Sequence, residues 1–204
     1  LFAYPHMLPS PFTLPAGRFI IGTTMAYGLT DFATISTDVF RDFYKVYNAG
    51  LKLSMFDFQS FAFALTAGVE HYNYKDIFIG NPDVSITSYL PGAVAAFEIL
   101  PRLALFTGGT LIYSKIKPNS DIETSGLLRG AQVEADLSWG YSSPSKRSYG
   151  NVLSTGVSYD ISYKMAGVGL SHHWPGFQLG VHYYPSASRQ KVQPIISGGA
   201  VLDL

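Results

Sequence analysis

Two carboxylates, Glu134 and Asp136, stand two residues apart in the stretch GAQVEADLSWGYSS, residues 130–143. On an extended chain such residues share a face and lie roughly 7 Å apart. At that separation one acid can give a proton while the other takes one. Paired carboxylates on one strand are a weak signal, so the chemistry needs a second one. SHHW at 171–174 is the other reactive stretch. Ser171, with Ser154, Ser158 and His182, supplies the parts of a nucleophile–base pair, which must come within hydrogen-bond reach to act. Neighbouring side chains of a strand point to opposite faces, so His172 and His173 cannot both ligate one metal without a local distortion. Beside Trp174 they read more simply as residues of an interface. His6 and His71 stand alone. There is no G-x-S-x-G, P-loop, HExxH or EF-hand loop. Cysteine is absent, which excludes disulfides, thiolate metal sites and a thiol nucleophile. No cofactor and no metal is expected.

These residues have to be positioned by strands. In 130–141 the apolar Ala131, Val133, Ala135, Leu137, Trp139 and Tyr141 alternate with Gly130, Gln132, Glu134, Asp136, Ser138 and Gly140. A period of two marks a strand with one apolar and one polar face. Similar signals occur at 17–28, 31–39, 45–56, 60–74, 84–99, 102–116, 127–141, 150–163, 165–173, 177–184 and 192–203. Residues 1–15 carry prolines at 5, 9, 11 and 15, and proline removes a ladder donor. They are expected to form an extended arm or a lumen plug, with residues 16–204 as one all-β domain. Connections alternate between short (28–31, 57–60, 100–102, 174–177) and long and polar (38–45, 75–83, 117–126, 185–191). The stretch 142–150 is a longer turn than that scheme prefers. Near Lys164 the apolar phase switches from odd to even residues, which predicts a tight turn or a bulge.

Composition says what the apolar faces meet. Charged residues make up 14% of the 204 and apolar ones 47%, against about 25% charged in soluble domains. A net charge of zero gives no electrostatic case for nucleic acid. No stretch of 18 or more apolar residues exists, so a membrane reading must be a β reading. The chain does not begin with Met and has no basic-then-apolar leader, so any secretory signal is expected to have been removed. The polar strand faces are rich in Gly, Ser and Thr and poor in the Lys, Glu and Arg that keep a soluble sheet in solution. Aromatic residues gather near strand ends. Tyr27, Trp139, Tyr141, Trp174 and Phe177 are expected at a membrane interface, where a ring's apolar body suits headgroup depth. A closed antiparallel transmembrane β-barrel of ten to twelve strands follows. Its inward polar residues would be Arg18, Lys52, Glu70, Glu98, Arg102, Gln132, Glu134, Asp136, Asp160, Gln178 and His182. Charge inside a narrow barrel is costly unless paired or wetted, so these predict an ion-pair network or a polar constriction. With eleven strands read, the first would run from the long-loop end, leaving the arm there, as a twelfth strand or threaded through the lumen.

Two stretches carry a resemblance. PIISGGAVLDL, with Ile196, Ala200, Leu202 and Leu204 on one face, resembles the C-terminal signal strand of outer-membrane proteins, with Leu204 where phenylalanine is commonest. TLPAGRFIIGTTMAYGLTDFATIS, residues 13–36, resembles the first hairpin of uncharacterised small barrel proteins of Gram-negative bacteria. The resemblance implies the fold and the bacterial outer membrane, and no active site. Outer-membrane lipid is then the expected partner, with a small solute or a surface partner reached through the long loops. Ten to twelve strands are too few for a general porin. A structural or surface-interaction barrel is the first expectation and a small-solute channel the second. An outer-membrane enzyme acting on lipid or peptide is the third, and a soluble periplasmic lipid-binding barrel is the rival outside the membrane.

Overall fold

The computed structural model describes residues 11–43, 46–58, 60–74, 84–118, 126–140, 152–161, 164–174, 177–185 and 191–203. For residues 40, 43, 74, 118, 126–128, 173–174, 177–178 and 191–203 the description is of backbone alone. In chain order the elements are β1 (Arg18–Gly22), β2 (Thr24–Thr30), β3 (Ala33–Asp38), α1 (Val39–Phe43), β4 (Val46–Phe58), β5 (Phe61–Tyr74), β6 (Val84–Tyr89), β7 (Gly92–Leu100), β8 (Leu103–Pro118), β9 (Gly126–Trp139), β10 (Val152–Asp160), β11 (Met165–Trp174), β12 (Phe177–Tyr184) and β13 (Lys191–Asp203). None of the described helices is long and apolar enough to cross a membrane.

β6 and β7 are halves of one strand. β5 pairs with β6 along Val69–Tyr74 and with β7 along Phe61–Thr66, and β8 lies beside both. At the break, Leu90 and Gly68 exchange main-chain hydrogen bonds of 2.8 and 3.0 Å. Pro91, which has no N–H to give, accepts from Leu111 at 2.8 Å. The result is an antiparallel sheet of twelve strands. β4 pairs with β5 and β1 pairs with β13, so every strand has a neighbour on each side.

Two expectations change. The strand read over 17–28 is a hairpin folded at Thr23, with Phe19 opposite Tyr27 and Ile20 opposite Ala26. This supplies the twelfth strand without help from the arm. It also reverses the first strand: Arg18 pairs with Asp203, so β1 starts at the short-turn end where β13 finishes. The arm therefore joins the sheet at that end and not at the long-loop end. The phase switch near Lys164 is a turn: Asp160 pairs with Met165, and Lys164 takes a left-handed φ of 51°. Three register shifts, at Gly28/Thr30, Ser54/Phe56 and Glu98/Leu100, lie close to the short-turn end. The expected loop at 75–83, most of 117–126 and the turn at 142–150 fall outside the described residues.

Alternation gives the sheet two unlike faces. Buried on one are Ala62, Ala64, Val94, Ala96, Ala104 and Phe106, with Glu70, Ser88, Asp136, Ser154 and His182. The other exposes large apolar side chains on strand after strand, among them Leu51, Leu65, Phe97, Leu111, Val133, Leu137, Val157, Leu170 and Val181.

Candidate functional site

The inward side chains form a filled region and an open one. From β9 to β12 small hydroxyls interlock: Ser138 Oγ and Ser154 Oγ are 2.8 Å apart, and Ser158 Oγ lies 3.0 Å from His182 Nε2. The His182 ring sits 4.6 Å from that of Tyr184. Gly167 makes room for it, since a Cβ there would collide with His182 Nε2. Sequence reasoning offered Ser158 and His182 as parts of a nucleophile–base pair, and the register does bring them together. They are 5% and 1% exposed, however, and neither lines the cavity described next. Their hydrogen bond fills the interior.

The open region is a cavity of about 360 Å³ between β3, β4, β5, β8 and β9. Its lining includes the polar Ser36, Lys52, Thr66, Glu70, Gln132 and Glu134 among apolar neighbours such as Leu90 and Ile112. Such a volume suits one small molecule.

Toward the long-loop end the cavity is covered by α1. Asp38 caps this turn, its Oδ1 accepting from the Arg41 N–H at 3.2 Å, which is N-cap geometry. The cap aims Arg41 inward, where its guanidinium pairs with Glu70. The Tyr72 hydroxyl donates to the other Glu70 oxygen at 2.6 Å. Asn48 Nδ2 donates to the Asp38 carbonyl and to Asp42 Oδ1, both at 3.0 Å, tying the turn to β4. Arg41 and Asn48 were not singled out in the sequence, where Tyr72 reads as a strand-end aromatic of the interface; it is instead 5% exposed and turned inward to Glu70. The spacing Asp38–Arg41 was the available signal, hidden in a stretch that reads as a polar loop.

At the short-turn end the described part of the arm, Pro11–Pro15, with Ala16 after it, lies against inward groups of β3 and β4 and the exposed turn residue Asp31. Lys52 Nζ donates to the Phe12 carbonyl at 2.8 Å. The Leu14 N–H donates to Thr34 Oγ1 at 2.8 Å, and the Ala16 N–H to Asp31 Oδ1 at 3.0 Å. The Thr13 hydroxyl donates to the Asp31 carbonyl at 2.5 Å. Pro15 crosses Gly28 so closely that a Cβ at Gly28 would collide with the Pro15 carbonyl. Proline suits this place, because each one removes an N–H that would otherwise need a buried partner.

The expected lumen residues separate accordingly. Lys52, Glu70, Gln132 and Glu134 line the cavity. Asp136 is buried beside them on the same face of β9. Glu98 faces inward opposite Ala104 near the short-turn end, and Asp160 ends β10 opposite Gln132. Arg18 opens β1. Arg102 is a correction: it sits exposed in the turn between β7 and β8 with φ of 71°, because a two-residue connection there needs a left-handed residue. The Gln178 side chain is outside the description. Of the interface aromatics, Trp139 is 70% exposed at the end of β9, and the Tyr27 ring lies 6.4 Å from that of Phe19. Tyr141 and the side chains of Trp174 and Phe177 lie outside the described residues. Among those described, no group of three or more His, Asp or Glu is placed to hold a metal. Compared with known proteins, the chain matches no family model, no curated protein and no solved structure.

Proposed function

We propose that this chain is an integral β-barrel of a Gram-negative outer membrane. It closes through the β1–β13 pairing, its lumen is stoppered by the N-terminal arm, and it acts as a structural or surface-interaction barrel. One observation carries the reading: the two faces are inverted relative to a soluble protein. Glu70, Asp136 and His182 are at most 4% exposed inside, while Val157 is 57%, Leu170 50% and Val133 46% exposed outside. Soluble monomers seldom expose contiguous apolar patches beyond a few hundred Å².

The height of the apolar band supports it. On β8 the outward residues run from Leu103, opposite Trp139, to Tyr113, opposite Arg129. Ten residues at ~3.3 Å each, tilted ~40°, span about 25 Å, the height of a barrel's lipid band. Beyond Tyr113 the outward residues become Lys115 and Lys117. Tyr47, Tyr89, Tyr113 and Tyr159 are exposed toward the long-loop end, and Phe32, Phe56, Phe58 and Trp139 toward the other. Two aromatic rows flanking an aliphatic band suit the two interfaces. The outer-membrane assignment rests on the even strand number, the short-and-long alternation of connections and the resemblance of the last strand.

The cavity and the arm together favour a second reading, passage of a small solute once the arm leaves. The test is planar-bilayer conductance of the refolded protein, with and without residues 1–16. Insertion without current in both forms is expected for a sealed barrel. Current only after deletion makes the arm a gate and favours the second reading. Failure to insert overturns the membrane reading.

A further inference from the structure

On their outward faces the described strands carry three charged side chains, and all are cations: Lys115 and Lys117 on β8 and Arg129 on β9. Each is exposed, and no acid pairs with any of them among the described residues. The register places them together. Arg129 is opposite Tyr113, and Lys115 is one outward step beyond Tyr113. Same-face neighbours along a strand lie roughly 7 Å apart, and diagonal neighbours across a pair are about as close. β6 adds polar groups alongside, since Thr87 pairs with Lys115 and Ser85 with Lys117. Thr87 Oγ1 is 2.9 Å from His71 Nδ1 of β5. Arg129 is level with Tyr89 and Tyr113, which face each other across β6 and β8, and Lys115 and Lys117 lie immediately beyond them.

Resting on the membrane reading above, we propose that Lys115, Lys117 and Arg129 form a binding site for the phosphate of an anionic lipid headgroup. Depth selects this ligand. A tyrosine ring at the interface sits at headgroup level, so a cation one residue further out along the wall meets lipid phosphates. Chemistry selects it as well: Arg offers a planar fork to phosphate oxygens, and Lys adds mobile point charges. The cations point sideways from the wall toward neighbouring lipid, which distinguishes the site from one for a soluble anion at the mouth. Such a contact fixes how the barrel sits in depth and which lipids surround β6, β8 and β9.

The experiment reconstitutes the full chain in phosphatidylcholine bilayers. It then measures by spin-label spectroscopy the association of labelled phosphatidylglycerol relative to labelled phosphatidylcholine. The unmodified protein should prefer phosphatidylglycerol, and the preference should fall as salt shortens the screening length to about 3 Å near 1 M. Each of Lys115→Gln, Lys117→Gln and Arg129→Gln should weaken the preference about fivefold, and all three together on the order of a hundredfold. Lys164→Gln, which removes an exposed cation at the same end of the sheet between β10 and β11, should leave it unchanged. A preference that survives the triple change, or one that Lys164→Gln lowers equally, overturns the site. Equal association of the two lipids with the unmodified protein overturns it too. Absence of any wall-immobilised lipid signal in every form overturns the membrane reading itself, a result distinguishable from loss of selectivity.

Discussion

Lys52, in the middle of β4, donates from Nζ to the main-chain carbonyl of Phe12 at 2.8 Å, joining residues forty positions apart. A charged donor on a main-chain acceptor in an interior setting holds the arm more firmly than a neutral one would, contributing about 1.5–3 kcal/mol in all. Lys52→Met keeps the stem and removes the donor. Chymotrypsin cleavage after Phe12 should then become at least about tenfold faster, because about 1.4 kcal/mol of local opening is a factor of ten. An unchanged cleavage rate would show that the arm is held by its other contacts alone.

Gly28 tests the same seat sterically. Any side chain there meets the Pro15 backbone, which cannot rotate away as a flexible side chain can. Gly28→Val should expel the arm and, like Lys52→Met, speed chymotrypsin cleavage after Phe12. A Gly28→Val protein as protease-resistant as the unmodified one would count against the arm's placement.

Val133 lies near mid-height of the apolar band, opposite Gly109, midway along β8. Val133→Arg should destabilise the protein by roughly 2–4 kcal/mol in denaturant unfolding from vesicles, with Trp139→Arg costing only about 0–1 at the rim. On the wet face of a soluble sheet both changes would fall within about 0.5 kcal/mol. The ratio of the two costs is therefore a depth gauge.

Arg41→Ala leaves the Glu70 carboxylate buried with the Tyr72 hydroxyl. Breaking a fully buried pair costs about 3–5 kcal/mol, and because Arg41 is 26% exposed a cost of roughly 2–3 is expected here. Arg41→Ala combined with Glu70→Gln should recover part of it, since the uncompensated charge is gone. Additive losses in the double-mutant cycle would mean that the two side chains do not interact.

Gly167→Ala forces the His182 ring off its seat against Ser158. Overpacking of this kind should cost about 1–3 kcal/mol of stability.

Alternation made the faces legible. Leu137 and Trp139 on one side, and Glu134 and Asp136 on the other, follow from a period of two. The hairpin at Thr23 was not legible, for a geometric reason. Its partners sum to an even number, as in Phe19 with Tyr27, so odd residues stay on one face through the turn. The apolar pattern runs through it unbroken. The same parity hides the break at Leu90–Pro91, where Tyr89 and Phe97 both remain exposed. Site residues were legible where the sheet presents them, as with Lys52, Glu70 and Glu134. They were lost where a local cap does, as with Arg41, whose direction is decided by Asp38 and one helical turn.

The pairing of β1 with β13 joins residues as far apart as Arg18 and Asp203, whereas the other hairpins join chain neighbours. Closing so long a stretch of chain carries the largest entropic cost of any contact in the molecule and is repaid only after the rest is in place. The union is also brief, five registered pairs against fourteen between β8 and β9. On β13 the stretch Lys191–Gly198 extends past the end of β1. Folding should therefore proceed as a curling ribbon of hairpins whose rims meet last. Under mechanical or chemical load the wall should unzip along that same line, in the reverse of the order in which it was sewn.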